Sequence, residues 1–157
     1  MKPLKTNAMR LLDQKQIPYQ VLSFPYNEKD FDGTHVADAI QLPYAQVYKT
    51  LVFSGGKQGA GVFCIPVDKT INVKKAAVLL GEKKTVLYPV EKLYPLTGYV
   101  RGGCSPIGMK RKLPLFFHDQ ILTQNQIAVS AGTRGLQIFL SPVDLLQITH
   151  GQQADLL

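Results

Sequence analysis

Apolar residues recur along the chain with two periods, and the switches between them mark out its elements. Ala8, Leu11 and Leu12 share one face of a helical period that starts after Thr6, a capping residue, and runs to about Lys15, with Pro18 just beyond. Tyr19 to Phe24 reads as a strand. A polar, turn-rich stretch from Pro25 to Gly33 follows. Thr34 is then read as the cap of a second short helix with Val36, Ala37 and Ile40 inward, and Pro43 as the opening of another helical turn. Lys49 to Phe53 and Val62 to Val67 are β-branched and aromatic runs joined by a glycine-rich loop, which predicts a hairpin. Asn72 can cap a helix with Val73, Ala76, Ala77 and Leu80 inward and Gly81 at its C′ position. Thr85 to Leu87 predicts a short strand and Pro89 to Leu93 a helical turn.

From Tyr94 to Pro114 prolines and glycines break every period. A loop of that length in a compact domain is usually functional or disordered. Leu113 to Phe117, Ile127 to Ala131 and Leu136 to Leu140 predict strands. Ser141, Pro142 and Asp144 match N-cap, N1 and N3 of a final helix reaching about Thr149, followed by Gly151. Strands and helices alternate without a regular βαβ rhythm. The expected class is α/β of the α+β type, with a mixed, largely antiparallel sheet and flanking helices.

Length and composition sharpen this only a little. A chain of 157 residues, 45% hydrophobic, suits one domain over residues 1–157, without repeat or linker. Cys64 and Cys104 form no C-x-x-C pair, so a reducing compartment is expected, with cytoplasm as the default. The N-terminal residues lack a continuous apolar stretch, and no segment reaches membrane-spanning length, so no membrane partner is expected.

Charge says more. Residues 70–134 hold ten Lys and Arg against Glu82, Glu91 and Asp119, and elsewhere the charges balance, so the whole net charge of +7 sits in this segment. A polyanionic partner is one explanation, and a solvated face with surplus lysine is the other.

The chemistry open to these residues is narrow. His35, His118 and His150 lie far apart and show none of the short Cys/His spacings of zinc sites, so neither metal nor cofactor is expected. No G-x-S-x-G elbow is present, and Ser105 precedes Pro106, which suits a rigid loop better than a nucleophile turn. Gly55 to Gly61 lacks the G-K-[ST] ending of a phosphate loop and reads as a hairpin turn. Gly102-Gly103 leads through Ser105-Pro106 and Gly108 into Lys110, Arg111 and Lys112. On the residues alone this is either a backbone cradle for an oxyanion or carbonyl, or a surface turn with a basic end. Cys104 has cations nearby in sequence that could lower a thiol pKa, but no neighbouring base, and reads as a small apolar loop residue. Lys49, in "VYKTLVF", opens a strand that reads as buried, and a buried lysine is usually paired or functional. An edge lysine is the ordinary alternative.

Four blocks taken together are more specific. "QVYKTLVF" (46–53), "VKKAAVLLGEKK" (73–84), "TGYVRGGCSPIGMKRKLP" (97–114) and "VSAGTRGLQIFLSPVDL" (129–145) resemble, in order and spacing, the YbaK family of aminoacyl-tRNA deacylases. The same fold occurs as the editing insertion domain of bacterial prolyl-tRNA synthetases. The resemblance runs over nearly the whole chain and implies a partly barrel-like sheet. It also implies a free-standing trans-editing domain that clears mischarged tRNA, typically Cys-tRNA(Pro), with prolyl-tRNA synthetase as a partner and a monomer as the simplest state.

By the same resemblance Lys49 is the central side chain of the pocket, and Gly102, Gly103, Ser105 and Pro106 supply backbone that holds the aminoacyl ester. Ser130 and Phe31 line the site, and Phe24 matches more loosely. With tRNA as the partner, Lys110, Arg111, Lys112 and Arg134 of the cationic segment become candidates for phosphate contacts. Some family members carry Asp where Gln137 stands, and many a branched aliphatic where Cys104 stands. In the cysteine-specific branch the implied mechanism is substrate-assisted: the substrate thiol attacks the ester carbonyl. A water-using Ala-tRNA(Pro) deacylase and a non-catalytic tRNA- or synthetase-binding module are the competing readings.

Overall fold

The structure is a computed structural model that describes residues 5–29 and 32–157. The first helix, α1 (Asn7–Gln14), begins where Thr6 accepts a hydrogen bond from the Met9 N–H at 3.2 Å, and it buries Ala8, Met9 and Leu12. β1 (Gln20–Ser23) follows. α2 (Gly33–Ile40) starts earlier than the sequence suggests: Asp32, not Thr34, is the cap, accepting from the His35 N–H at 3.0 Å. A short 3-10 turn after Pro43 leads into β2 (Tyr48–Ser54), which forms the expected hairpin with β3 (Ala60–Pro66).

α3 (Val73–Leu79) is capped by Asn72, but Val73 is 42% exposed although it shares the stripe of Ala76, Ala77 and Leu80, because a side chain at the first helical position is directed back past the end of the helix. Residues 85–87 form no strand. They lie along the outer edge of β2 through a bridge from Leu87 to Phe53 and a bond from the Ser54 N–H to the Val86 carbonyl. The broken period at Tyr94 hides α4 (Leu93–Thr97). Pro95 is tolerated there because it sits in the first turn, where the missing N–H would have had no helical acceptor.

Two sheets result. β1, β6 (Leu136–Leu140) and β5 (Ile127–Ser130) make an antiparallel sheet in the order β1-β6-β5. The other runs β2-β3-β4-β7, with β4 (Leu115–His118) and β7 (Gln152–Ala154) both paired in parallel. β7 is polar and follows α5 (Pro142–Thr149), so no apolar alternation announces it. A bridge between Val47 and Ala128 joins the sheets, but they do not close, which corrects the expectation of a partly barrel-like sheet.

β3 explains how the core is divided. All seven of its residues are buried, as expected of a strand covered on both faces. Ala60, Val62 and Cys64 enter the large core with α1, β5 and β6, while Phe63 and Ile65 pack with Phe53 and Phe116 on the opposite face. Lys49 is registered opposite Ile65 and therefore shares that second face.

Candidate active site

A cavity of about 450 Å³ opens where the two sheets meet. Its walls are Val47 and β2 from Tyr48 to Leu51, the start of α2 at Asp32, Gly33 and Thr34, the facing pair Ser130 and Gln137, and Arg101, Gly102 and Cys104 from the long loop. The strands thus carry Lys49 and Ser130 into one site from positions 81 residues apart in sequence.

Lys49 is half-buried, and burial pushes its ammonium below the usual lysine value, against the opposing pull of Asp32 and Asp68. Asp32 is exposed at the rim. Its carboxyl is held below the ordinary range, first by the His35 N–H, then by the His35 ring and the Thr34 hydroxyl. Ser130 is half-buried, and its Oγ accepts from the Gly132 N–H at 3.2 Å.

The long loop is ordered by its own contacts. The Tyr99 hydroxyl donates to the Ile107 carbonyl, the Asn7 amide donates to the Gly108 carbonyl at 2.7 Å, and the Gly103 N–H donates to the Val100 carbonyl at 3.0 Å. Gly102 has φ of +85°, a conformation that side chains resist. Arg134 clasps the loop from the β5–β6 turn: its Nε donates to the Arg101 carbonyl at 3.1 Å, and its guanidinium lies 5.1 Å from the centre of the Tyr26 ring.

Other residues singled out by sequence lie elsewhere. Ser105 and Pro106 are buried beneath the loop and absent from the cavity wall, and the Ser105 hydroxyl accepts from the Ile107 N–H at 3.2 Å. Phe24 joins the β5–β6 turn through its N–H, which donates to the Gly135 carbonyl at 2.9 Å. Phe31 lies outside the described residues. Lys110, Arg111 and Lys112 are exposed but off the cavity, and Arg111 reaches instead to the Gln58 carbonyl at 3.3 Å in the β2–β3 turn. His35, His118 and His150 stand apart, on α2, at the end of β4 and at the end of α5.

Cys104 reaches the cavity but is only 9% exposed, and burial pushes its thiol up to about 12. Cys64, fully buried, is likewise pushed up to about 12 by burial. The reactive form of cysteine is the thiolate, so neither thiol is poised as a nucleophile near neutral pH.

Sequence reasoning missed Asp32 and Arg101. Asp32 had a readable signal as an acidic cap before Gly-Thr, whereas Arg101 was one cation among ten.

The profile of the aminoacyl-tRNA editing domain matches residues 32–148, a span that includes every described residue of the cavity wall. The chain belongs to this family. An Enterococcus faecalis protein, EbsC, named as a candidate Cys-tRNA(Pro)/Cys-tRNA(Cys) deacylase, is 40% identical over 152 residues, covering 97% of this chain and 93% of its own. A crystal structure described as a candidate trans-editing enzyme for prolyl-tRNA synthetase superposes with a TM-score of 0.82 at 26% identity, over 98% of each chain. The hypothetical protein APE2540 has the same fold, with a TM-score of 0.82 at 21% identity over 96% of this chain and 99% of its own. The editing domain acts on mischarged tRNA, whose aminoacyl ester it deacylates. Among the described residues no helix is long and apolar enough to cross a membrane.

Proposed function

We propose that this editing domain acts in trans on Cys-tRNA(Pro), and on Cys-tRNA(Cys) where it meets it, by letting the cysteine thiol cleave its own ester. The carrying observation is a cavity of substrate size that, among the described residues, holds a half-buried lysine and one thiol that burial keeps protonated. The substrate sulfur bonds to the ester carbonyl carbon, the bond from that carbon to the ribose oxygen breaks, and the thiol proton passes to the departing ribose oxygen, which leaves as a hydroxyl. The products are a thiolactone and free tRNA. With the reaction intramolecular, the protein's part is orientation and stabilisation of developing charge.

In this reading Lys49 holds the ester or terminal phosphate, Gly102 brings bare backbone to the acyl group, and Ser130 faces the bound amino acid. Gly103, Ser105 and Pro106 keep the loop in place, and Phe24 ties the end of β1 to the β5–β6 turn. Arg134 faces the acceptor end, while Lys110, Arg111 and Lys112 meet phosphates further along the stem. Discrimination of tRNA(Pro) is assigned to prolyl-tRNA synthetase as partner, in keeping with the name of the structural relative. Cysteine, serine and alanine esters of tRNA(Pro), each treated with wild type and Lys49→Ala, test the proposal. Cysteine release alone, lost in the variant, is expected. Equal wild-type and variant rates reject the role of Lys49. Release of serine or alanine points to attack by water, and tRNA binding without any release to a non-catalytic module.

A further inference from the structure

Gln137 sits in β6 with Ser130 facing it on β5 and Leu22 on β1. It lines the cavity yet is only 7% exposed, and its Oε1 has no hydrogen-bond partner. Among the described residues it is the one buried side-chain oxygen or nitrogen so left. A buried acceptor without a donor carries an uncompensated desolvation cost, so native proteins rarely retain one without use. Lys49 and Arg101 line the same cavity and are rich in donors, but neither satisfies this oxygen. A donor arriving with a ligand would satisfy it.

Building on the deacylase reading, we propose that Gln137 is a specificity residue for the α-amino group of the aminoacyl ester, its Oε1 accepting a hydrogen bond from that nitrogen. An aminoacyl ester offers three donors near its carbonyl: the amino group, the neighbouring ribose hydroxyl and, for cysteine, the thiol. Depth separates the first two, because a residue this buried is met by the amino acid rather than by the nucleotide, which remains toward the open rim. The thiol is a weak donor and must stay free to attack. An uncharged acceptor also suits this wall. A carboxylate here would oppose the charge of Lys49, whereas an amide leaves that charge to the ester and phosphate oxygens. The contact rejects acyl groups that lack the amino donor, since they would leave the buried oxygen unpaired.

A substrate–enzyme cycle tests this. Cysteinyl-tRNA(Pro) and mercaptopropionyl-tRNA(Pro), which differ only in the amino group, are given to wild type and to Gln137→Met, a substitution of similar length without the acceptor. The cycle cancels the amino group's own effect on ester reactivity. Expected is a loss in kcat/KM of about 10-fold or more for the cysteinyl ester in the variant, the size of one lost hydrogen bond, with the mercaptopropionyl ester changed by less than about twofold. The methionine protein should melt at the same or a higher temperature than wild type, and Gln137→Glu, which keeps an acceptor, should keep the preference for the amino group. Equal losses on both esters, or a lower melting temperature in the methionine variant, overturn the proposal by making Gln137 a structural residue. Binding of the cysteinyl and mercaptopropionyl amides of aminodeoxyadenosine reads the same contact without turnover. Amide binding that depends on both the amino group and Gln137, with no turnover of either ester, rejects the deacylase reading alone, and equal binding of the two amides rejects the role of Gln137 alone.

Discussion

A Cβ atom placed on Gly103 would lie 3.1 Å from the carbonyl carbon of Thr133 and 3.2 Å from the Arg134 nitrogen, so the long loop and the β5–β6 turn touch backbone to backbone. Backbone on both sides cannot step aside as a side chain would. Gly103→Ala is therefore expected to displace Gly102 from the cavity wall and lower deacylation by about 10-fold or more, the cost of a small misplacement at a reacting centre. Gly102→Ala must hold φ near +85° and is expected to cost about 1–2 kcal/mol in stability. Deacylation rates beside thermal melts distinguish the two. A Gly103→Ala protein with wild-type activity would show that this contact does not position the loop.

Lys49 couples the site to pH. Its folded-state pKa is lowered by burial, so the unfolded chain holds the proton more tightly. Below the folded pKa the charge is present in both states and burial penalises folding. As pH rises from there toward the model-peptide value of 10.5, the folded protein sheds the proton and stability increases. Lys49→Met should accordingly be more stable than wild type at neutral pH, with the difference shrinking as pH rises toward that value, while deacylation collapses. Melts across pH check the sign, and a difference that grows with pH contradicts it.

Cys104 is expected to be dispensable for chemistry. Its thiol, pushed up to about 12, is protonated throughout the working range. Cys104→Ala should retain deacylation within a few-fold and lose about 1 kcal/mol of stability, the order of a small deleted core group. Loss of all turnover with a normal melting curve would make Cys104 the nucleophile instead.

The cations divide by distance. Lys49 lies five residues before the end of β2, roughly 17 Å along an extended strand, while Arg111 reaches the turn beyond that end. Neutralising Lys110, Arg111 and Lys112 together should weaken tRNA binding, reduce the salt dependence by about one unit of slope per lost phosphate contact, and spare the cleavage of bound substrate. Arg134→Ala also releases the clasp on the Arg101 carbonyl and should slow cleavage itself. Binding across salt concentrations, with single-turnover rates, separates the two effects. A slowed single-turnover rate in the triple variant would contradict the division.

Local physics made much of this protein legible before any fold was known. Thr6 and Asn72 announced their helices because an N-cap is written in one side chain and the N–H groups it serves. The β2–β3 hairpin was visible in two apolar runs around a glycine-rich turn, and four ordered blocks carried the family. Parallel pairing of β3 with β4 and of β4 with β7 left no such mark, because it depends on partners far away in the chain. The site divides along the same line. Lys49 and the Gly102-Gly103 pair stood out as residue types odd for their local pattern. That Ser105 turns inward, that Asp32 and Arg101 reach the cavity, and that Gln137 keeps an unpaired buried oxygen were decided only when the two sheets met. Burial and hydrogen-bond satisfaction are properties of the packed surroundings, whereas caps, turns and strand periods are properties of neighbouring residues.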